Sequence, residues 1–144
     1  MALPKPEPGL VISYDYLWSH QHRRGEEQGR KTRPVVIVVA VANQANGAVR
    51  VAVAPITHRR PDHPVSGIEM PQRVKVALTL DGEPSWIMCD ELNHFIWPGF
   101  DLRQLPKQAG RYEYGFLPPA LFDAVAERMR ALDSRTKLKR VARD

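Results

Sequence analysis

Cysteine is almost absent: the 144 residues contain one, Cys89. No internal disulfide can form, and the count favours a reducing cytoplasm. Cys89 follows Trp86, Ile87 and Met88, so it is expected to pack in the core rather than act as a nucleophile. Long apolar runs are missing too. The longest, Val35 to Ala42, falls far below the ~20 residues of a spanning helix, so no membrane segment is expected. Residues 1–8 hold four prolines or acidic residues among few apolar ones and show no signal core. They read as an extended lead-in. No glycine-rich phosphate loop is present. The histidines lack metal-ligand spacing: His20 and His22 are two apart, His58 and His63 five apart, and no cysteine pair accompanies them. Neither a metal nor a cofactor is expected.

What the chain does have is positive charge in two places. The net charge is +5. Residues 20–33 contain Arg23, Arg24, Arg30, Lys31 and Arg33 against Glu26 and Glu27, a net of +3. Residues 134–144 contain Arg135, Lys137, Lys139, Arg140 and Arg143 against Asp144, a net of +4. These segments account for the whole excess and suit an acidic partner, although each also reads as ordinary solvated surface.

The patterning is that of a mainly β domain. Leu10 to Trp18 is rich in β-formers. Val35 to Val41 is continuously apolar and β-branched, which predicts a strand buried on both faces, opened by Pro34. Asn43 to Gly47 predicts a turn, and Val49, Val51 and Val53 alternate in a third strand ending at Pro55-Ile56-Thr57-His58. Two long polar loops are expected, His20–Thr32 and Arg59–Gly67. Further strands are expected at Ile68–Pro71, Val74–Leu80 and Ser85–Asp90, with Asp81-Gly82 as a hairpin turn, and a short strand or turn at Glu91–Pro98. Pro118-Pro119 then starts a helix whose Leu121, Phe122, Val125, Met129 and Leu132 share one face. Burying those five side chains is worth on the order of 7–15 kcal/mol before entropy. Short strands followed by one helix predict a small barrel with the helix packed on it. The expected organisation is a lead-in at 1–8, one domain at 9–132 and a basic tail at 133–144.

The chemistry concentrates at two strand ends. Arg33 immediately precedes an apolar strand, so the sheet fixes its backbone while its guanidinium emerges at the rim. Guanidinium forms paired hydrogen bonds to phosphate oxygens and stays charged at any working pH. Thr57, at another strand end, brings a hydroxyl. Together they suit a phosphodiester: one neutralises developing charge, the other donates a hydrogen bond. His20, His22, His58 and Glu27 are the nearby side chains able to carry protons. The structural alternative is that Arg33 pairs with a local carboxylate and Thr57 caps a turn.

Three stretches resemble the MazF/PemK (Kid) family of toxin–antitoxin ribonucleases. They are Gly9-Leu-Val-Ile-Ser-Tyr-Asp-Tyr-Leu-Trp18, Gly25-Glu-Glu-Gln-Gly-Arg-Lys-Thr-Arg-Pro34 with its apolar strand, and Val53-Ala-Pro-Ile-Thr-His58. Asp90-Glu-Leu-Asn93 stands where the family often has Asp-Gln-Val-Arg/Lys. The resemblance covers roughly Gly9 to Arg103. It implies an SH3-like barrel that dimerises and cuts single-stranded RNA without metal, held in check by a cognate acidic antitoxin. It assigns catalysis to Arg33 and Thr57: the RNA 2′-OH attacks the adjacent phosphorus, a cyclic phosphate forms, and Arg33 stabilises the phosphorane. Glu27 matches a loop glutamate of some members. Arg23, Arg24, Arg30, Lys31, His58 and Arg59 fall where they would bind RNA. The sequence departs from the pattern in placing Gly29 four residues before Arg33 rather than two, in Glu91, and in extending the chain at Pro98–Arg103 and Tyr112–Pro119. A non-catalytic module of the same fold, binding nucleic acid or an acidic protein segment, is the alternative reading. A different enzyme or a purely structural protein is the third.

Overall fold

A computed structural model describes residues 3–26 and 31–144. The chain runs β1 (Leu10–Asp15), α1 (Ser19–Arg23), β2 (Thr32–Ala42), β3 (Val49–Thr57), β4 (Gly67–Glu69), α2 (Gln72–Ala77), β5 (Trp86–Met88), β6 (Glu91–Ile96), β7 (Glu113–Phe116), α3 (Pro119–Ser134) and β8 (Lys139–Ala142). The strands hydrogen-bond in the order β4-β5-β3-β2-β1-β7. β6 joins β3 beside β5 and carries β8 on its other edge. The sheet curls into a half-barrel closed by α3, so the expected mainly β barrel with a C-terminal helix holds. Among the described residues no helix is long and apolar enough to cross a membrane.

β2 and β3 divide the interior. Val36, Val38, Ala52, Ala54 and Ile56 face one cluster, which Val125, Met129 and Leu132 of α3 complete. Val35, Ile37, Val51 and Val53 face the other, built with Tyr14, Tyr16 and Phe95. A strand flanked by two cores has no polar face to show, which explains the unbroken apolar run of β2. In α3, Leu121 and Phe122 of the predicted face are partly buried against the same cluster. Cys89 is fully buried, and burial pushes its thiol up to about 12.

Several local expectations are corrected. Val74–Leu80 is not a strand: Gln72–Ala77 is helical. A strand would put Val74, Val76 and Leu78 on one face. Instead Val74 and Leu78, four apart, are buried at 5% and 4%, while Val76 between them is 67% exposed. Asp81-Gly82 is therefore no hairpin. Asp81 Oδ1 accepts the Glu83 N–H at 3.1 Å and turns the chain from α2 into β5. The first strand stops at Asp15, because the buried Asn93 side chain takes both backbone groups of Leu17: its Oδ1 accepts the Leu17 N–H at 3.0 Å and its Nδ2 donates to the Leu17 carbonyl at 2.8 Å. The loop after it opens with the short helix α1 rather than irregular chain. Part of Tyr112–Pro119 pairs with β1 as β7. Residues 139–142 form a strand parallel to β6. Within the basic C-terminal stretch, Arg140 pairs with Asp133 and Arg143 is buried against Asp101.

Candidate active site

The β2–β3 ladder leads toward Arg33 and Thr57. β2 and β3 pair Ile37 with Val53, Val36 with Ala54 and Val35 with Pro55, so paired numbers sum to 90. That ladder ends at Val35–Pro55, two residues short of Arg33 on β2 and of Thr57 on β3. On its other side Arg33 pairs with Tyr14 of β1. Arg33 and Thr57 share one rim, since both line the same two clefts.

Arg33 is half-buried there. Its guanidinium carbon stands 5.2 Å from the centroid of the Trp18 ring, a cation–π contact. Its Nε is buried and has no hydrogen-bond partner among the described residues. Burial lowers its pKa below the ordinary value, with the Tyr16 hydroxyl working the other way. The group nevertheless starts from so high a value that it remains a cation. Thr57 does cap a turn: its Oγ1 accepts the Arg59 N–H at 3.2 Å. That bond uses an oxygen lone pair and leaves the hydroxyl hydrogen to donate.

Both residues line two clefts that meet at this rim. The first, of about 470 Å³, also takes in Lys31, His58 and Asp81. The second, of about 580 Å³, takes in Trp18, His20, Arg24, Arg59 and Arg60. Of the predicted RNA-binding residues, Arg24, Lys31, His58 and Arg59 therefore border the rim, whereas exposed Arg23 lines neither cleft. Glu27 and Arg30 lie outside the described residues.

His58 is held rather than free. Its Nδ1 lies 2.9 Å from the Pro84 carbonyl and its Nε2 2.9 Å from Asp81 Oδ2. Asp81 Oδ1 accepts from Nζ of Lys75, a lysine side chain only 1% exposed. Burial works to raise the Asp81 carboxyl, but Lys75, the Glu83 N–H and His58 outweigh it and hold its pKa below the usual value. Among the described residues, His58, Asp81 and Glu83 form the one group with ligand-type atoms within 4.8 Å of one another. All three are exposed; the hydrogen bond above joins His58 to Asp81, and the Glu83 carboxylate stands 3.9 Å from His58 Nε2.

The rim is anchored from below by Glu91 and Asn93, which sequence reasoning did not single out as site residues. Glu91 accepts the Tyr16 hydroxyl at 3.1 Å and the Ser19 N–H at 3.0 Å, and Asn93 fixes Leu17. Together they position Trp18, on which Arg33 lies. Sequence reading also passed over Arg60, whose guanidinium stands 5.7 Å from the Trp86 ring centroid. Its place beside Arg59 in a polar loop was the available signal.

Residues 7–133 match the family of PemK-like, MazF-like toxins of type II toxin–antitoxin systems. None of the curated proteins matches the sequence.

Proposed function

The chain belongs to the PemK-like, MazF-like toxin family of type II toxin–antitoxin systems, and from that premise we propose that it is a metal-independent endoribonuclease acting on single-stranded RNA in the cytoplasm. A member of such a system has an antitoxin as its partner. The observation that carries the enzymatic reading is the meeting of Arg33 and Thr57 at the junction of two clefts, with a buried guanidinium N–H left unpaired.

The 2′-oxygen attacks the adjacent phosphorus, the P–O2′ bond forms, and the P–O5′ bond breaks to leave a cyclic phosphate and a 5′-hydroxyl. Negative charge grows on the phosphoryl oxygens in between. Arg33 supplies two-pronged donation to those oxygens and Thr57 a single donor, both held before the substrate arrives. Lys31, Arg24 and Arg59 draw the polyanion in. The antitoxin segment would be acidic and cover this rim, and the active form would be a homodimer.

The test is incubation of the purified protein with a mixed RNA pool in chelator, with the cut ends mapped. Arg33→Ala and Thr57→Ala should each slow cleavage by two to three orders of magnitude while circular dichroism stays native, since one preorganised donor is worth about 2.7–4 kcal/mol. Variants that cut at the wild-type rate would refute the assignment. Salt-sensitive RNA binding with no products would instead identify a non-catalytic binding module.

A further inference from the structure

The backbone ladder between β3 and β5 ends at Thr57, which pairs with Trp86. One residue beyond it, the His58 side chain takes over the joining. Its Nδ1 lies 2.9 Å from the Pro84 carbonyl and its Nε2 2.9 Å from Asp81 Oδ2, so the ring spans the turn that leads from α2 into β5. Thr57, His58, Asp81 and Ser85 line the first cleft, whose wall residues between 105 and 114 complete. The turn has its own support. Asp81 Oδ1 accepts from Lys75 Nζ at 3.2 Å, and that lysine side chain is 1% exposed. A buried ammonium needs its partner, so Lys75 keeps Asp81 where it is.

Both oxygens that face the ring can only accept. The Pro84 carbonyl carries no proton. Burial opposes the charge on Asp81, but Lys75, the Glu83 N–H and His58 outweigh it, so Asp81 is a carboxylate. A neutral imidazole has one N–H and satisfies one of the two oxygens; an imidazolium has two and satisfies both. The Ser85 hydroxyl, 3.1 Å from Nδ1, has another acceptor in the Glu83 carbonyl at 3.3 Å. Removing the proton from Nδ1 sets two lone pairs face to face at 2.9 Å, so the Pro84 contact breaks and Ser85 turns to donate to Nδ1. Asp81 and Glu83 face Nε2, with Lys75 behind Asp81. Among the described residues, the other titratable groups in the lining of this cleft are Lys31, Arg33, Lys107 and Tyr114.

We infer that His58 is a positioning residue for Thr57: as an imidazolium it straps the end of β3 to the 81–85 turn and so fixes the hydroxyl that is to meet the phosphate. This rests on the ribonuclease reading above. Thr57 Oγ1 accepts the Arg59 N–H in a turn that begins where the β3–β5 ladder stops. The ladder anchors that turn on one side and the strap on the other. His58 has both nitrogens engaged within the fold, so it acts through Thr57 rather than on RNA directly.

Two measurements test it. In the first, cleavage of one RNA oligonucleotide is followed in wild type, Thr57→Ala, His58→Leu, His58→Gln and the double variant His58→Leu with Thr57→Ala. Leucine straps nothing, so His58→Leu should lower kcat by roughly 10- to 100-fold, the cost of a misplaced donor, and leave KM unchanged. The double variant should be no slower than Thr57→Ala, because the hydroxyl through which His58 works is already gone. Glutamine keeps one donor for Asp81 and does not titrate. His58→Gln should therefore lose less than His58→Leu, and its rate relative to wild type should rise on the alkaline side, where wild type loses the ring proton. His58 is exposed, and the glutamine variant reports even where His58→Leu fails to fold. In the second measurement, three-bond NMR couplings across the Thr57 Cα–Cβ bond report its rotamer without RNA. Wild type should show one rotamer and His58→Leu an average. Losses that multiply in the double variant, a raised KM at unchanged kcat, or a His58→Gln ratio independent of pH would overturn the strap and leave the nuclease standing. So would a single Thr57 rotamer in His58→Leu beside a wild type that cuts RNA. Rotamer averaging in His58→Leu beside a wild type that cuts nothing would support the strap and overturn the nuclease.

Discussion

Removing Arg143 should cost far more stability than removing any other cation of the C-terminal segment. Its Nε donates to Asp101 Oδ2 at 2.8 Å and its Nη2 to Asp101 Oδ1 at 3.0 Å, a two-pronged pair. The side chains are 6% and 2% exposed. The guanidinium also lies over Phe100, 5.2 Å from its ring centroid. Arg143→Met would leave the Asp101 carboxylate buried with only the Tyr14 hydroxyl near it, at 3.4 Å. Stranding one member of a buried pair costs about 3–5 kcal/mol. For a chain near this length that corresponds to roughly 9–15 °C in melting temperature, at about 3 °C per kcal/mol. Urea unfolding of Arg143→Met, Asp101→Leu and the double variant forms the assay. The double variant should recover most of the loss, because two apolar side chains leave no charge stranded. A single-variant loss below about 1 kcal/mol, the worth of an exposed pair, would refute the reasoning and mean the terminal strand is not locked.

Two further outcomes follow from the charges near the rim. Glu91 is buried, and burial raises its pKa, opposed by the Ser19 N–H, the Tyr16 hydroxyl and Lys139 and reinforced by Asp90. The folded state therefore holds the proton more tightly than the unfolded chain, so stability falls as pH rises from the ordinary glutamate value to the raised folded one. Glu91→Gln keeps an acceptor for Tyr16 and Ser19 but carries no charge; its urea midpoint relative to wild type should be higher above that window than below it, and equal differences at both ends would contradict the assignment. Arg24→Ala, Arg59→Ala and Arg60→Ala should each reduce the slope of log affinity against log salt for single-stranded RNA by about 0.7, as one phosphate contact is lost; titrations at several salt concentrations that leave the slope unchanged would remove these residues from the RNA path.

The parts of the fold legible in the sequence were those where one local rule and the tertiary environment agreed. β2 lies between two cores, so its apolar run needed no face analysis. α3 presents one stripe to one core, and its period showed. α2 misled because Val74 and Val76 imitate strand alternation, although only Val74 and Leu78 reach the interior. β8 carries one buried apolar residue, Val141, amid Lys139 and Arg140. Nothing in that segment's own propensity forms a strand; the open edge of β6 does. The site divides in the same way. The shared position of Arg33 and Thr57 at two clefts was legible because strand ends fix where residues sit. The wall at 105–114 was not, since it comes to the rim only through the return of β7 onto β1.

The unpaired Nε of Arg33 gives the site an energetic signature of its own. A buried donor without a partner costs about 1–3 kcal/mol, and the fold accepts that cost at the position where an anion is to bind. Methionine has comparable length and reach over the Trp18 ring but no donor to leave unsatisfied. Arg33→Met should therefore match or exceed wild-type stability in urea while losing RNA cleavage, whereas most substitutions at half-buried positions lose stability. Opposite signs for stability and activity are what a functional site held under strain produces. The wild type, in turn, should gain stability from single-stranded RNA carrying a 2′-deoxy block, and Arg33→Met should gain much less. If Arg33→Met instead unfolds more than about 1 kcal/mol more easily than wild type, Arg33 is a structural residue whose donor is satisfied within the fold.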